Sequence, residues 1–319
     1  MRRLALALAL CGCARVAGLL DTAARNVTAA LSPVRRIPHR VTHPHRDDAR
    51  LAALWVGHAT VLLQMDDRLI LTDPIFTASS GQISWRVVEP GIDVADVPPL
   101  DLVVLSHLHF DHLSPASLAR LEGRIGHLLA PAGGLAYVPD FAFTASDLAA
   151  WEHWDDRGMR VTAVPVAHHG WRYGADAWMD GCFTGYVIEY HGLSVYFGGD
   201  TAYAREHFVA TARRFPHLDL ALLPIAPIEP RRFIGGNHLD AVQALQAFED
   251  LGARRMVPIH FDTFINSEDA VGDAPAALRR AMRERSVDDA RVVVLEIGEQ
   301  RVLIPRATVR HARSLWPRS

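Results

Sequence analysis

The sequence is poor in cysteine, shows no excess of either charge, and has no apolar run long enough to span a bilayer comfortably. Cys11, Cys13 and Cys182 are the only cysteines in 319 residues, too few for a disulfide scaffold. The 33 basic and 36 acidic side chains nearly cancel to a formal charge of −3, which leaves no electrostatic footprint for nucleic acid. Internal repeats and low-complexity segments are absent, and the composition is neither collagenous nor disordered. With 50% hydrophobic residues the chain can bury a substantial core, and one large domain is expected.

The amino terminus reads as an export signal over residues 1–20. Arg2 and Arg3 form a short basic region, and Leu4 to Leu10 an apolar region. The signal ends in Leu10-Cys11-Gly12-Cys13-Ala14, which resembles a bacterial lipobox with Cys13 as the acylated residue. An uncleaved anchor or a plain signal peptide is the alternative. If Cys13 is acylated and Cys11 removed, Cys182 alone remains, which fits an exported, membrane-anchored lipoprotein of the bacterial envelope. Residues 21–50, with Pro33, Pro38 and Pro44 and no clear period, read as a tether to a domain over residues 51–310.

Within that domain, short apolar runs alternate with helical patterns. Strands are expected at Leu51–Val56, Val61–Met65, Leu69–Thr72, Leu102–Leu105, Val161–Val166, Tyr186–Tyr190, Ser194–Phe197, Leu218–Ile225, Met256–Ile259 and Val292–Ile297. Helices are expected at Pro115–Glu122, with Ser114 as N-cap, and at Ser146–Trp154, Ala204–Arg214, Leu239–Leu251 and Pro275–Glu284. Many fully apolar strands with helices between them imply two sheets packed between helical layers.

What the sequence has in plenty is histidine, with 17. The most telling group is HLHFDH, His107 to His112, placed after an apolar strand and before the capped helix. On such a loop His107, His109, Asp111 and His112 can fold around metal ions, whereas on a helix residues two apart diverge. Further donors stand at other strand ends: His168, Asp200 behind Gly198-Gly199, and His260. The adjacent glycines allow close backbone approach.

These residues, together with Trp55-Val56-Gly57-His58-Ala59-Thr60, Leu71-Thr72-Asp73-Pro74, Gly199-Asp200-Thr201, Glu229-Pro230-Arg231 and His238-Leu239-Asp240, give a chain that resembles the metallo-β-lactamase superfamily. Within it, the likeness is to the branch of the N-acylphosphatidylethanolamine-hydrolysing phospholipases D. The resemblance implies an α/β fold, the four-layer αββα sandwich, and two divalent ions. It puts His107, His109 and His168 on one ion, Asp111, His112 and His260 on the other, and Asp200 between them. His169 competes with His168, but the Val-Pro-Val-Ala-His order aligns His168 with the family's ligand. Asp73 would orient a ligand imidazole, and His58 belongs behind the ligands or is a turn residue. His238 resembles the family's active-site histidine that is not a ligand, so the catalytic set is Asp111, Asp200 and His238.

The chain departs from the branch at Phe261-Asp262, where the family has Trp-Gly, and at Thr184, where it has Trp. Arg86 is the sole arginine in a stretch where the family is arginine-rich. These changes border the expected substrate cleft. The mostly imidazole ligand set suits zinc, and iron or manganese would accept the same mixture. The expected reaction is metal-assisted hydrolysis of a phosphodiester, with a phospholipid presented at a membrane as substrate. A lactonase resembling ascorbate-6-phosphate lactonase, or a non-catalytic envelope lipoprotein, are the other readings.

Overall fold

The computed structural model describes residues 18–38 and 40–307. Cys13 and the lipobox-like motif therefore lie outside the described residues. Strands β1 (Ala49–Gly57), β2 (Thr60–Met65) and β3 (Arg68–Thr72) form an antiparallel meander. A short ribbon of β4 (Ser79–Ser80) and β5 (Ser84–Trp85) follows. Then β6 (Leu100–Val104), β7 (Ile125–Pro131) and β8 (Thr144–Leu148) add in parallel beyond β3.

The second sheet takes β9 (His153–Asp156), β10 (Met159–Val164), β11 (Gly185–Tyr190), β12 (Leu193–Phe197), β13 (Leu220–Pro224) and β14 (Arg255–Ile259), antiparallel as far as β12 and parallel from there to β14. The chain returns to the first sheet as β15 (Gln300–Pro305), beside β1.

The strands are apolar on both faces because both faces are covered. Along β1 the side chains alternate between two cores. Leu51, Ala53 and Trp55 pack with Val161, Tyr186 and Ile188 of the second sheet. Leu54 and Val56 pack on the other side with Leu118 and Leu121 of α2 (Pro115–Leu121). Helix α5 (Ala241–Leu251) covers the second sheet at β13, flanked by α3 (Arg205–Arg214) and α6 (Asp273–Glu284). A short α4 (Arg231–Ile234) precedes α5. The expected αββα sandwich is therefore observed. Ser114 caps α2 by accepting from the Ser117 amide at 3.2 Å, and Asp240 caps α5 by accepting from Gln243 at 2.8 Å.

Three expectations are corrected. Ser146–Trp154 is not a helix: it belongs to β8, a turn and β9. Its apolar spacing arises because Trp151 (φ +72°) reverses the chain and Trp154 then stacks on His127 with ring centres 4.6 Å apart. Val292–Ile297 is not a strand, as only Val292 bridges to Met256 before the chain turns through Gly298 (φ +90°). The pairing next to β1 falls to β15 instead.

Nor are residues 21–50 a free tether. Helix α1 covers residues 18–31 and is held to the domain: Arg25 Nη1 donates to the Asp269 carbonyl at 2.8 Å, and Asn26 Nδ2 to that of Ile265 at 3.0 Å. The Trp85 amide donates back to Asn26 at 2.8 Å. Farther along, Arg35 pairs with Val88 as an isolated bridge. The side of the helix that docks is polar, so its contact with the domain leaves no apolar signature.

Ser114→Ala removes the cap that starts α2 just after the HLHFDH loop. Loss of an N-cap side chain costs about 1 kcal/mol, so the variant should unfold at lower denaturant concentration with an unchanged slope; an unchanged midpoint would show the cap to be idle.

Candidate metal centre

The functional side chains gather where the two sheets meet, each at the end of a strand. Asp73 follows β3, the HLHFDH loop follows β6, His168 follows β10, Asp200 follows β12 and His260 follows β14. Burial leaves these polar groups dependent on one another. Asp73 is fully buried and accepts from the Ser106 amide (2.7 Å), the Ser106 hydroxyl (2.6 Å) and His112 Nδ1 (2.6 Å). Ser106 Oγ in turn accepts from His107 Nδ1 at 2.9 Å. With both Nδ1 atoms engaged, His107 and His112 turn their Nε2 lone pairs to a common space. His168 is set in the same way, its Nδ1 donating to the Asn237 carbonyl at 2.9 Å.

Two donor groups result. His107 Nε2 lies 2.9 Å, and His168 Nε2 3.3 Å, from His109 Nδ1. Around Asp111, His112 Nε2 stands at 3.8 Å and His260 Nε2 at 3.7 Å. Asp200 lies between the groups. Its Oδ2 is 3.9 Å from His107 Nε2, 3.9 Å from His168 Nε2 and 3.3 Å from His112 Nε2, and its Oδ1 is 3.1 Å from His260 Nε2. Each group contains at least three donors close enough to hold one ion.

The donor chemistry fits metal. His112 Nε2, His260 Nε2 and Asp200 Oδ1 are buried with no hydrogen-bond partner among the described residues. Several lone pairs facing one point repel unless a cation lies there.

The electrostatics divide the imidazoles: His260 is drawn toward the charged form, a proton it must release to bind a metal, while His107 and His168 are held neutral. Burial would raise the Asp200 carboxyl, but the His260, His112 and His238 charges around it hold it well below the usual carboxylate range. Burial pulls His260 down, yet Asp200 and Asp111 together carry it up to about 9. For His107 and His168 burial wins, and both are held well below the ordinary histidine range, in the neutral form a metal requires.

All seven expected ligands come together in this way. His169 does not join them: it is half-buried and bonds Asp180 at 3.0 Å. His58 lies behind the ligands, its Nε2 2.9 Å from Asp111 Oδ2, and burial beside His260 lowers it to about 3. Its backbone is left-handed (φ +54°), as is that of His260 (φ +67°), and the His260 amide donates to the His58 carbonyl at 2.9 Å. His238 is partly buried on the loop before α5, with Nδ1 3.5 Å from Asp200 Oδ2. Of the departures, Phe261 packs on Trp55 (ring centres 4.3 Å apart) and Asp262 accepts from the Gly272 amide at 2.9 Å.

Sequence reasoning missed Ser106, which ties Asp73 to two ligand imidazoles, and the Asn237 carbonyl. The only sign of Ser106 was its place directly before HLHFDH.

Fold and donor set together place the chain in the metallo-β-lactamase superfamily, with side chains grouped as metal ions require. The model of the β-lactamase superfamily domain matches residues 68–261, and the chain belongs to that family. An uncharacterized protein of Mycobacterium tuberculosis is 31% identical over 74% of the chain, which spans 65% of that relative's length. An N-acyl-phosphatidylethanolamine-hydrolyzing phospholipase D of Caenorhabditis elegans is 26% identical, over 82% of this chain and 78% of its own. Among solved structures, Igni18, a metallo hydrolase from Ignicoccus hospitalis, shares the fold with a TM-score of 0.58 at 21% identity, over 78% of this chain and 97% of that one.

Gly199 (φ +56°) carries the Asp200 loop so close to Ser106 that a Cβ would stand 2.2 Å from the serine Cβ. Gly199→Ala should therefore push Asp200 and Ser106 apart, and elemental analysis of the purified variant should show metal content well below that of the parent. Full retention of metal would mean that the loop tolerates the displacement.

Proposed function

We propose that the chain is a phosphodiesterase of phospholipase D type with two metal ions, acting on N-acylphosphatidylethanolamine-like phospholipids. The observation that carries this reading is a cavity of about 610 Å³ that runs from α1, past Phe261, Phe264 and Ile265, to His58 and His260. Its walls suit an apolar tail, and it reaches one of the donors, His260, with His58 beside it. The nematode relative's printed activity supports the same substrate class.

In this reading His107, His109 and His168 would hold one ion and Asp111, His112 and His260 the other, with the Asp200 carboxylate facing both groups. Two divalent ions, zinc fitting the imidazole-rich set best, would supply an activated water and charge neutralisation at phosphorus. The protein's own groups do the positioning. Asp73 and Ser106 fix the tautomer and direction of His107 and His112, and His58 restrains Asp111. Burial pushes His238 down to about 4, so near neutrality it is a neutral N–H donor, placed to bond a phosphoryl oxygen. The export signal and the lipobox-like Cys13 support presentation of the substrate at a bacterial envelope membrane, with the protein held there by a lipid anchor.

Protein purified without chelator should carry close to two metal equivalents and release phosphatidic acid from N-acylphosphatidylethanolamine. A fully active enzyme with one equivalent overturns the two-ion assignment; turnover of a sugar-phosphate lactone but of no phospholipid overturns the substrate.

Asp200→Ala should lose both metal and activity, because it removes the carboxylate that faces both donor groups. His238→Ala should keep its metal and lose kcat, by about 10²-fold if it serves as a positioned donor. Metal loss in His238→Ala with retention in Asp200→Ala would reverse the two roles.

A further inference from the structure

Helix α1 is inverted for a helix that faces water. Its inner side is polar: Thr22, Arg25 and Asn26 donate to the carbonyls of Ser267, Asp269 and Ile265. Its outer side is apolar, with Leu19 (72% exposed), Leu20, Val27 (61%) and Leu31 (83%) turned away from the domain. Leu19, Ala23, Val27 and Leu31 recur every four residues and make one stripe along the helix. Ile83 (71% exposed), from the turn between β4 and β5, extends the patch, and a hollow of about 470 Å³ lies between it and the helix. Among residues 18–31 only Asp21 and Arg25 are charged, and they pair with each other at 3.0 Å. Water gives no reason for such a face.

We propose that the outer face of α1, together with Ile83, rests on a lipid surface. The sequence leading into α1 favours lipid over a second copy of the chain: the apolar run Leu4 to Leu10, behind Arg2 and Arg3, ends eight positions before residue 18. Kept as an uncleaved anchor, or replaced by an acyl chain on Cys13, the segment before α1 brings the helix to a membrane, and an apolar helix face is the interfacial means of lying on one. The inner side of α1 borders the cavity that ends at His58 and His260, so the docked helix would stand between the lipid surface and the metal centre. This inference rests on the inverted helix and does not require the phosphodiesterase reading.

The test uses the full chain carrying Cys11→Ser, Cys13→Ser and Cys182→Ala, with a nitroxide on Val27→Cys, Ile83→Cys or, as an aqueous control, the exposed Glu206→Cys. In phosphatidylcholine–phosphatidylglycerol vesicles, power saturation compares collisions with oxygen and with a nickel chelate. The Val27 and Ile83 labels should favour oxygen several-fold, and the Glu206 label should favour nickel. A Val27 label that favours nickel overturns the proposal. So does a Val27 label in lipid with an Ile83 label in water, since the helix would then have left the domain. Spin–spin broadening with shielding from both reagents would assign the face to a second copy and likewise overturn it.

Discussion

The centre depends on one buried carboxylate that is not itself among the expected ligands. Asp73 follows β3, Ser106 lies just beyond β6, and the bonds between them lock two neighbouring strand ends of the first sheet together. The same carboxylate takes the Nδ1 proton of His112, and the Ser106 hydroxyl takes that of His107. Two imidazoles are thereby held in one tautomer and one direction before any ion arrives. An orienting partner behind each ligand raises its basicity and removes its rotational freedom. Without Asp73 the HLHFDH loop would hold the same residues but no common focus.

The second sheet presents its donors with less support. His168 is aimed by a backbone carbonyl, that of Asn237, which belongs to the loop after α4. Asp200 and His260 stand at the ends of strands running parallel, and both depend on unusual backbone: Gly199 before the aspartate and a left-handed φ at the histidine. Left-handed non-glycine residues persist only where their surroundings over-determine them. Here the bond from the His260 amide to the His58 carbonyl and the packing of His58 on His260 supply that constraint.

The side chains that gather at the centre were legible in the sequence because they stand at or just after the ends of apolar runs, and because HLHFDH concentrates imidazole and carboxylate as no surface loop needs to. The αββα layering was legible from strands apolar on both faces. Hydrogen bonds to backbone carbonyls leave no mark on side-chain pattern, so the anchor of His168 was invisible, and Ser106 looked like any serine. β8 and β9 escaped because they form sheet edges with exposed polar residues, and their turn mimics a helical spacing. Helix α1 escaped because its apolar stripe of Leu19, Ala23, Val27 and Leu31 overlaps the expected export signal and stretch of tether, where no packed element was expected.

The donors come from both sheets: His107, His109, Asp111 and His112 from the first, His168, Asp200 and His260 from the second. A cation held among them is therefore a cross-link between two halves of the chain far apart in sequence, and its binding free energy is also folding free energy. Mass action then makes the cohesion of the sandwich a function of free metal concentration. With such a cation bound, the chain would have a stability for each level of metal supply rather than one of its own, and at low metal its two sheets would part more easily.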